Sequence, residues 1–131
     1  MINKYFIPAY IFAVLIFVGS SISTEGLEKF ENINIFSEIV FSHYTMHFFG
    51  FGILAALLAW GFHKKRSSSV LKRAGLLTLF FGLFIEVYQI FLPRRSFSVL
   101  GLVVDCAGIV FALWLFWLIF SRRNKKLSPQ I

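Results

Sequence analysis

Two carboxylates inside apolar runs are the first residues of this sequence that could do chemistry. Glu86 and Asp105 each lie within a long apolar segment, and the short turn between the two segments carries Arg94 and Arg95. A charged group inside a membrane span is costly unless it faces protein or a water-filled cavity, and such groups often mark a functional site. The sequence therefore predicts a helical hairpin that carries a polar site.

The spacing of the two acids predicts that they lie at the same depth. Glu86 stands six residues before Leu92, and Asp105 stands six residues after Val99, where the predicted helices end and begin. At about 1.5 Å per residue, each acid lies about 9 Å inside its helix. A tight turn makes the two helices antiparallel neighbours, so we expect the carboxylates to face each other. His47, near the start of the preceding apolar run, is expected to line the same site from a third helix.

These residue types suit the binding of an anion or the transfer of a proton. Arginine side chains hold a phosphate or carboxylate through paired N–H groups, and a carboxylate or histidine in reach acts as a general acid or base. The candidate ligand-binding residues are Glu86, Gln89, Arg94, Arg95, Ser98, Asp105 and His47. In an enzyme, the acid–base candidates among them are Glu86, His47 and Asp105. The alternative is an interhelical polar lock that binds nothing.

A metal site is a further alternative. His43 and His47 have the spacing of two metal ligands on one helical turn. Glu86 and Asp105 would complete such a site. No HExxH-like element supports it, so the sequence favours a site without a metal ion and without a cofactor.

The composition predicts a membrane protein. Of the 131 residues, 58% are hydrophobic and only 15% are charged, and 18 are phenylalanine. A helix needs about 20 mostly apolar residues to cross a hydrocarbon core of about 30 Å. The predicted fold is all-α, a single domain over residues 1–131 built as an integral membrane bundle of four transmembrane helices. These helices are expected at about 5–22, 43–62, 74–92 and 99–120.

The first apolar run has a second interpretation. Gly19, Ser20 and Ser21 supply small residues after an apolar core, as in a cleavable signal peptide. The weakly basic start of the chain favours a retained helix instead. Pro8 agrees, because a helix tolerates proline in its first turn.

The basic residues predict how the helices are oriented. The net charge is +7, and Lys and Arg cluster in the loop 63–73 and in the tail 121–131. Cytoplasmic loops collect these residues, so the loop, the tail and both termini are expected in the cytoplasm and the hairpin turn outside. Basic clusters placed between apolar runs fit membrane topology better than a nucleic-acid surface. The expected partners are therefore membrane lipids, and no nucleic acid.

Small and polar residues recur three, four or seven positions apart in the last three predicted helices. Such positions share one face of a helix, and small residues let membrane helices approach closely. The stripes are His43, His47, Gly50 and Leu54; Gly75, Gly82, Glu86 and Gln89; and Gly101, Asp105, Gly108 and Ala112. A further stripe of Gly52, Ala56 and Ala59 predicts another contact, within the bundle or in a homo-oligomer.

The residues around the hairpin turn resemble a known family. The pattern Glu86-x-x-Gln89-x-Phe91-x-Pro93-x-Arg95, followed by Ser98 and Gly108, is similar to the motif of the VanZ-like family. These are small bacterial membrane proteins named for a teicoplanin-resistance protein. Ser20-Ser21 and His47-Phe48 also fit, and the resemblance covers about residues 10–120. It implies a multi-pass protein of the bacterial cell membrane and names no reaction.

The chain departs from the family pattern at several positions. The family usually has Asp where this chain has Gly101, and Asn four residues later, where it has Asp105. An acidic group therefore remains in the fourth helix, one turn deeper. The other departures are His43 and Tyr44 for an Asp-Lys pair, Phe51 for a tyrosine and Arg94 for a glycine.

Three functions are compatible with these features. The leading hypothesis is a non-enzymatic envelope protein that binds an amphiphile at the outer leaflet, such as a glycopeptide or a lipid-linked wall precursor, with a link to teicoplanin resistance. The second is a small intramembrane enzyme that acts on a lipid phosphate headgroup. The third is an assembly or transport partner that associates through Gly52, Ala56 and Ala59.

Overall fold

The chain folds into four helices that lie against one another. The computed structural model describes residues 3–21, 43–93 and 96–127, apart from the side chains of His43 and of residues 124–127. After a short 3-10 turn over Lys4–Phe6 come helices α1 (Ile7–Ser21), α2 (His43–Lys64), α3 (Val70–Ile90) and α4 (Val99–Leu127). The described ranges contain no strand, so the all-α prediction is confirmed.

The helix boundaries agree with the predicted ones to within a turn, except at the end of the chain. Helix α4 continues to Leu127, although the apolar run was expected to end near residue 120. The added turns contain Arg122, Arg123, Lys125 and Lys126. Lys and Arg are good helix formers, and positive charge in the last turns interacts favourably with the helix dipole. The start of the predicted basic tail is therefore helical.

Three of the helices are long and apolar enough to cross a membrane. Within the described ranges these are Lys4–Ser21, which includes the 3-10 turn, Tyr44–Lys64 and Val99–Arg123. Helix α3 is not among them; it carries Lys72, Arg73 and Glu86 within 21 residues. A fourth crossing by α3 stays a prediction.

The outer surface of the bundle is apolar. Large side chains such as Val14, Phe80, Val110 and Trp117 are more than half exposed. A soluble protein seldom exposes so much contiguous apolar surface, whereas lipid chains solvate it. The polar side chains of the hairpin lie inside instead, since Thr78, Glu86, Gln89 and Asp105 are at most 1% exposed.

Helices α2 and α4 approach each other closely at glycines. A Cβ built on Gly52 would lie 3.0 Å from the carbonyl oxygen of Gly108, and one built on Gly108 would overlap the carbonyl oxygen of Phe48. Only glycine allows this approach of two backbones. The stripe of Gly52, Ala56 and Ala59 thus makes a contact within one chain at Gly52. Ala59 is also fully buried in the bundle. A homo-oligomer through this stripe stays a prediction.

An apolar core lies beside the polar stripes. It consists of Phe51, Ala55, Ile85 and Ile109, from α2, α3 and α4. Partly buried side chains of α1, such as Ile16 and Phe17, pack against it. This core fixes how the three helices that carry the polar stripes are rotated relative to one another.

Candidate functional site

The polar stripes of α2, α3 and α4 converge in the interior of the bundle. His47 of α2, Glu86 of α3 and Asp105 of α4 each offer one ligand atom, and these atoms all lie within 4.8 Å of one another. The exposed fractions are 8% for His47 and 0% for both acids. The residues of each stripe are three, four or seven positions apart, so they share one face of their helix. These faces are turned towards the neighbouring helices. The cluster lies at the end of the bundle where α3 ends and α4 begins.

His47 and Asp105 form the shortest polar contact of the cluster. The Nδ1 atom of His47 lies 2.8 Å from Oδ1 of Asp105. Glu86 is farther away, with its Oε1 atom 3.9 Å from the same nitrogen. The ring of Phe51 lies beside the imidazole, with 5.7 Å between ring centroids. The imidazole is therefore held between a carboxylate and an aromatic ring, which restricts its orientation.

Glu86 is held by the start of helix α4. The backbone N–H of Ser98 donates a hydrogen bond of 2.9 Å to Oε2 of Glu86. The free N–H groups and the positive end of the helix dipole make a helix N-terminus a favourable neighbour for a carboxylate. This contact joins the two arms of the hairpin and explains how a glutamate is tolerated inside the protein.

Ser98 caps helix α4. Its Oγ accepts a hydrogen bond of 2.9 Å from the backbone N–H of Gly101, the usual role of a serine at the N-cap. Ser98 was predicted as a ligand-binding residue. Its hydroxyl and its amide both have partners inside the protein, so it positions Glu86 in this structure.

Three buried polar atoms have no hydrogen-bond partner within the described part of the chain. They are Oε1 of Glu86, Oδ2 of Asp105 and Nε2 of Gln89. Leaving a buried polar group without a partner costs about 1–3 kcal/mol, and more when the group is charged. Two of these atoms belong to the cluster itself, so the cluster has spare capacity to accept hydrogen bonds or to bind a cation.

Glycines stand next to the two unpartnered carboxylate oxygens. A Cβ on Gly101 would lie 2.8 Å from Oε1 of Glu86, and a Cβ on Gly82 would lie 3.3 Å from Oδ2 of Asp105. The family pattern usually has an acid at the position of Gly101. In this chain the carboxylate of Glu86 fills the space where the side chain of such a residue would begin.

Two of the predicted groups lie outside the described residues. These are Arg94 and Arg95 of the turn, and the side chain of His43. Of the remaining candidates, the structure brings together His47, Glu86 and Asp105, attaches Ser98 to Glu86, and buries Gln89 one turn along α3 from Glu86. The equal depth of the two acids in the membrane stays a prediction.

Sequence reasoning missed a contact that joins α1 to the same end of the bundle. The hydroxyl groups of Ser21 and Tyr88 lie 3.1 Å apart, and the ring of Phe17 packs on that of Tyr88 with 4.8 Å between centroids. Tyr88 lies outside the polar stripe of α3, so periodicity alone did not select it. The available signal was the pair Ser20-Ser21 at the end of an otherwise apolar helix.

The geometry allows two kinds of chemistry. A buried histidine bonded to a carboxylate can accept or donate a proton in a fixed orientation. Carboxylate oxygens without hydrogen-bond partners can bind a cation or a ligand that brings its own N–H or O–H donors. Both need polar groups inside an apolar bundle.

Comparison with known proteins identifies the family. The family model described as VanZ/LLP1 matches residues 5–120. No curated protein and no solved structure gives a significant match. The match extends from the 3-10 turn before α1 to the apolar part of α4, and it includes every residue of the polar cluster. The chain is therefore a membrane protein that belongs to the VanZ/LLP1 family.

Proposed function

We propose that this protein binds the polar headgroup of an amphiphile at the end of the bundle that carries the hairpin turn. The ligand class is a lipid-linked cell-wall precursor or a lipoglycopeptide such as teicoplanin, and the protein acts without chemical turnover. The observation that carries the proposal is the set of unpartnered polar atoms on Glu86, Gln89 and Asp105, each at most 1% exposed.

The unpartnered atoms favour a polar ligand over a closed interhelical lock. In a lock, polar groups bond across the helix contact, because unpaired polar groups inside an apolar bundle are costly. Here the His47–Asp105 and Ser98–Glu86 bonds satisfy one oxygen of each acid and leave the other without a donor. A sugar or peptide headgroup brings N–H and O–H donors that would complete these bonds.

The turn between α3 and α4 carries positive charge, which complements the negative charge of a phosphate group. Arg94 and Arg95 follow Pro93 directly in the sequence. Guanidinium groups bind phosphate in a bidentate manner, and the diphosphate of a lipid-linked precursor is such a group. The proposed ligand therefore places its phosphate at the arginines and its uncharged donors at the acids.

The proposal includes a four-span topology in the bacterial cell membrane. With α3 as a fourth crossing, both termini lie in the cytoplasm, and the hairpin turn lies in the outer leaflet. The support is the positive-inside rule applied to the loop between α2 and α3 and to the basic end of α4. A ligand that is displayed on the outer face of the membrane would then meet the turn first.

Binding to reconstituted protein tests the proposal. The full chain is placed in phosphatidylcholine nanodiscs, and native mass spectrometry measures retention of a polyprenyl-diphosphate wall precursor and, separately, of teicoplanin. We expect one ligand per chain, with affinity at least tenfold lower in Arg95→Ala and in Glu86→Gln. Arg122→Ala, which alters a basic residue at the opposite end of α4, is the control and should bind like the wild type. No retention of either ligand by the wild type, or equal retention by all four proteins, would overturn the proposal.

A second function is favoured by the His47–Asp105 contact. A histidine bonded to a buried carboxylate at 2.8 Å is an arrangement used for general acid–base catalysis. In this alternative the protein is an intramembrane enzyme that hydrolyses a lipid phosphate, with Arg95 as the phosphate clamp. Phosphate release from the same precursor in nanodiscs, lost in Glu86→Gln with ligand retention preserved, would favour the enzyme. Retention without release favours the binding protein.

A further inference from the structure

We propose that His47, Glu86 and Asp105 form a binding site for one divalent transition-metal ion, either Zn²⁺ or Mn²⁺. The three residues come from three different helices and meet inside the bundle. The site differs from the one that sequence spacing indicated, because its histidine is joined by the two carboxylates and does not need His43. The inference stands without headgroup binding, but an ion would use the same carboxylate oxygens as the proposed headgroup donors, so metal binding is tested without a headgroup ligand.

Two distances in the cluster are close to those that a small ion needs, and all three ligand atoms lie within 4.8 Å of one another. Ligand atoms around a tetrahedral ion with bonds of about 2.0–2.2 Å are about 3.3–3.6 Å apart. The Nδ1 atom of His47 lies 2.8 Å from Oδ1 of Asp105 and 3.9 Å from Oε1 of Glu86. One distance is shorter and the other longer than the ideal edge, each by about half an ångström. Changes of this size need only small rotations of the side chains.

Two carboxylate oxygens without a hydrogen-bond partner indicate a ligand, independently of the distances in the cluster. Both Glu86 and Asp105 are 0% exposed, and within the described residues Oε1 of the first and Oδ2 of the second accept no hydrogen bond. A metal ion between the side chains would satisfy the free oxygen of Glu86 and an oxygen of Asp105 together.

Charge balance points to a doubly charged ion. When both carboxylates are ionised, they repel each other strongly in a low-dielectric interior, and a divalent ion would cancel their combined charge. The mixed donor set narrows the choice, because imidazole suits zinc, iron, copper and nickel, and carboxylate suits manganese, calcium and magnesium. Calcium prefers six to eight oxygen ligands and magnesium keeps several waters, so a buried site with three protein ligands, one of them an imidazole, favours zinc or manganese.

A neighbouring backbone group orients one of the proposed metal ligands, as hydrogen-bond partners do in known metal sites. The amide of Ser98 donates to Oε2 of Glu86 at 2.9 Å, which leaves Oε1 directed at the cluster. Metal-binding carboxylates are usually held in this way by a hydrogen bond to their other oxygen. The glycines at 82 and 101 leave room for the two carboxylates, since a Cβ there would lie 3.3 Å from Oδ2 of Asp105 and 2.8 Å from Oε1 of Glu86.

Metal analysis of the purified full chain tests the proposal. The protein is prepared with a tag that contains no histidine, stripped with a chelator and titrated with Zn²⁺, Mn²⁺ or Ca²⁺, and the bound ion is counted by elemental analysis. We expect one Zn²⁺ or Mn²⁺ per chain, with affinity at least tenfold lower in Glu86→Gln, Asp105→Asn and His47→Ala. His63→Ala is the matched control, because His63 packs on Phe120 away from the cluster. It should bind like the wild type.

Two further measurements separate a metal site from an interhelical lock and from loss of folding. Zn²⁺ or Mn²⁺ should raise the melting temperature of the wild type and of His63→Ala, and leave that of Asp105→Asn unchanged. X-ray absorption of the loaded protein should show one imidazole nitrogen among oxygen ligands. Absence of stoichiometric binding, equal stabilisation by Ca²⁺, or unchanged binding in folded Glu86→Gln and Asp105→Asn would overturn the proposal.

Discussion

His47 and Asp105 join helix α2 to helix α4 through a contact of 2.8 Å between Nδ1 and Oδ1. The two residues are 58 positions apart in the chain, and both are buried. The same contact positions the imidazole of the candidate site. Packing of the bundle and organisation of the site are therefore linked, and a change in either residue should affect both.

A double-mutant cycle should measure a favourable coupling between His47 and Asp105. The single variants are His47→Gln and Asp105→Asn, which keep polar side chains of similar size. Hydrogen bonds between membrane helices contribute about 0.6 kcal/mol on average, and a charge-assisted bond is about twice as strong as a neutral one. We expect a coupling free energy of about 1–2 kcal/mol in the unfolding of the metal-free protein in mixed micelles.

The control for this cycle is the pair of His63→Gln and Asp105→Asn. His63 packs on the rings of Phe116 and Phe120 and not on the cluster. Residues that share no contact are usually additive within about 0.5 kcal/mol. A coupling between His47 and Asp105 as small as that of the control pair would show that their contact adds nothing to stability.

Gly101→Ala should displace Glu86 and weaken the site. The new Cβ would lie 2.8 Å from Oε1 of Glu86 and 3.2 Å from Oγ of Ser98. The carboxylate is the more mobile of the two neighbours, so we expect it to turn away. The measurable result is an affinity for the headgroup ligand, or for the metal ion, at least tenfold below that of the wild type, with helix content unchanged by circular dichroism.

Gly19→Ala is the matched substitution for this experiment. A Cβ at Gly19 meets nothing within 4 Å, so alanine adds only its helix propensity, worth up to about 1 kcal/mol. This variant should bind like the wild type and be equally or more stable. If Gly101→Ala binds as well as Gly19→Ala, the close approach to Glu86 has no role in the site.

The sequence predicted the convergence of the polar residues, because that convergence depends on helical periodicity. Steps of three and four residues placed Glu86, Asp105 and His47 on inward faces, and the equal offsets from the turn predicted a common depth for the two acids, which stays a prediction. The same periodicity selected Gln89, and the family motif added Ser98. These inferences use local geometry alone, and the structure buries the predicted faces.

The partner of each polar atom could not be predicted in this way. Which oxygen of Glu86 meets the amide of Ser98, and which remains free, depends on the rotation of α3 against α4 and on one side-chain rotamer. Close approach at Gly101 likewise results from the crossing of two helices. A sequence pattern contains neither the rotation of the helices nor the way in which they cross. The sequence therefore showed that Gly101 departs from the family pattern, but not what this departure does in the structure.

Gly108→Ala should separate helices α2 and α4 and destabilise the bundle. The added Cβ would overlap the carbonyl oxygen of Phe48 and lie 3.1 Å from its Cα. Backbone atoms cannot rotate away as a side chain does, so the helices themselves must move. We expect unfolding to become easier by about 1–3 kcal/mol, the usual cost of overpacking, as measured by denaturation in mixed micelles.

Gly50→Ala controls for the change of residue type in the Gly108→Ala experiment. Its Cβ would meet only the side chain of Ile16, at 3.9 Å, which is ordinary contact distance. Stability should therefore stay the same or rise slightly. Equal effects of the two substitutions would mean that the α2–α4 crossing tolerates an added methyl group, contrary to the geometry.

Cysteine labelling should place the two loops that flank α3 on opposite sides of the membrane. Cys106 is the only cysteine of the chain, so Cys106→Ser gives a background for Ser68→Cys, before α3, and Ser96→Cys, after it. Both serines are exposed. A maleimide that cannot cross membranes should label Ser96→Cys in intact cells and Ser68→Cys only after permeabilisation, because the basic loop before α3 is expected in the cytoplasm. Val110→Cys, in the apolar surface of α4, should resist labelling in both conditions. Labelling of both loops from the same side would mean that α3 does not cross the membrane. Labelling of Ser68→Cys in intact cells, and of Ser96→Cys only after permeabilisation, would mean that the orientation is the opposite one.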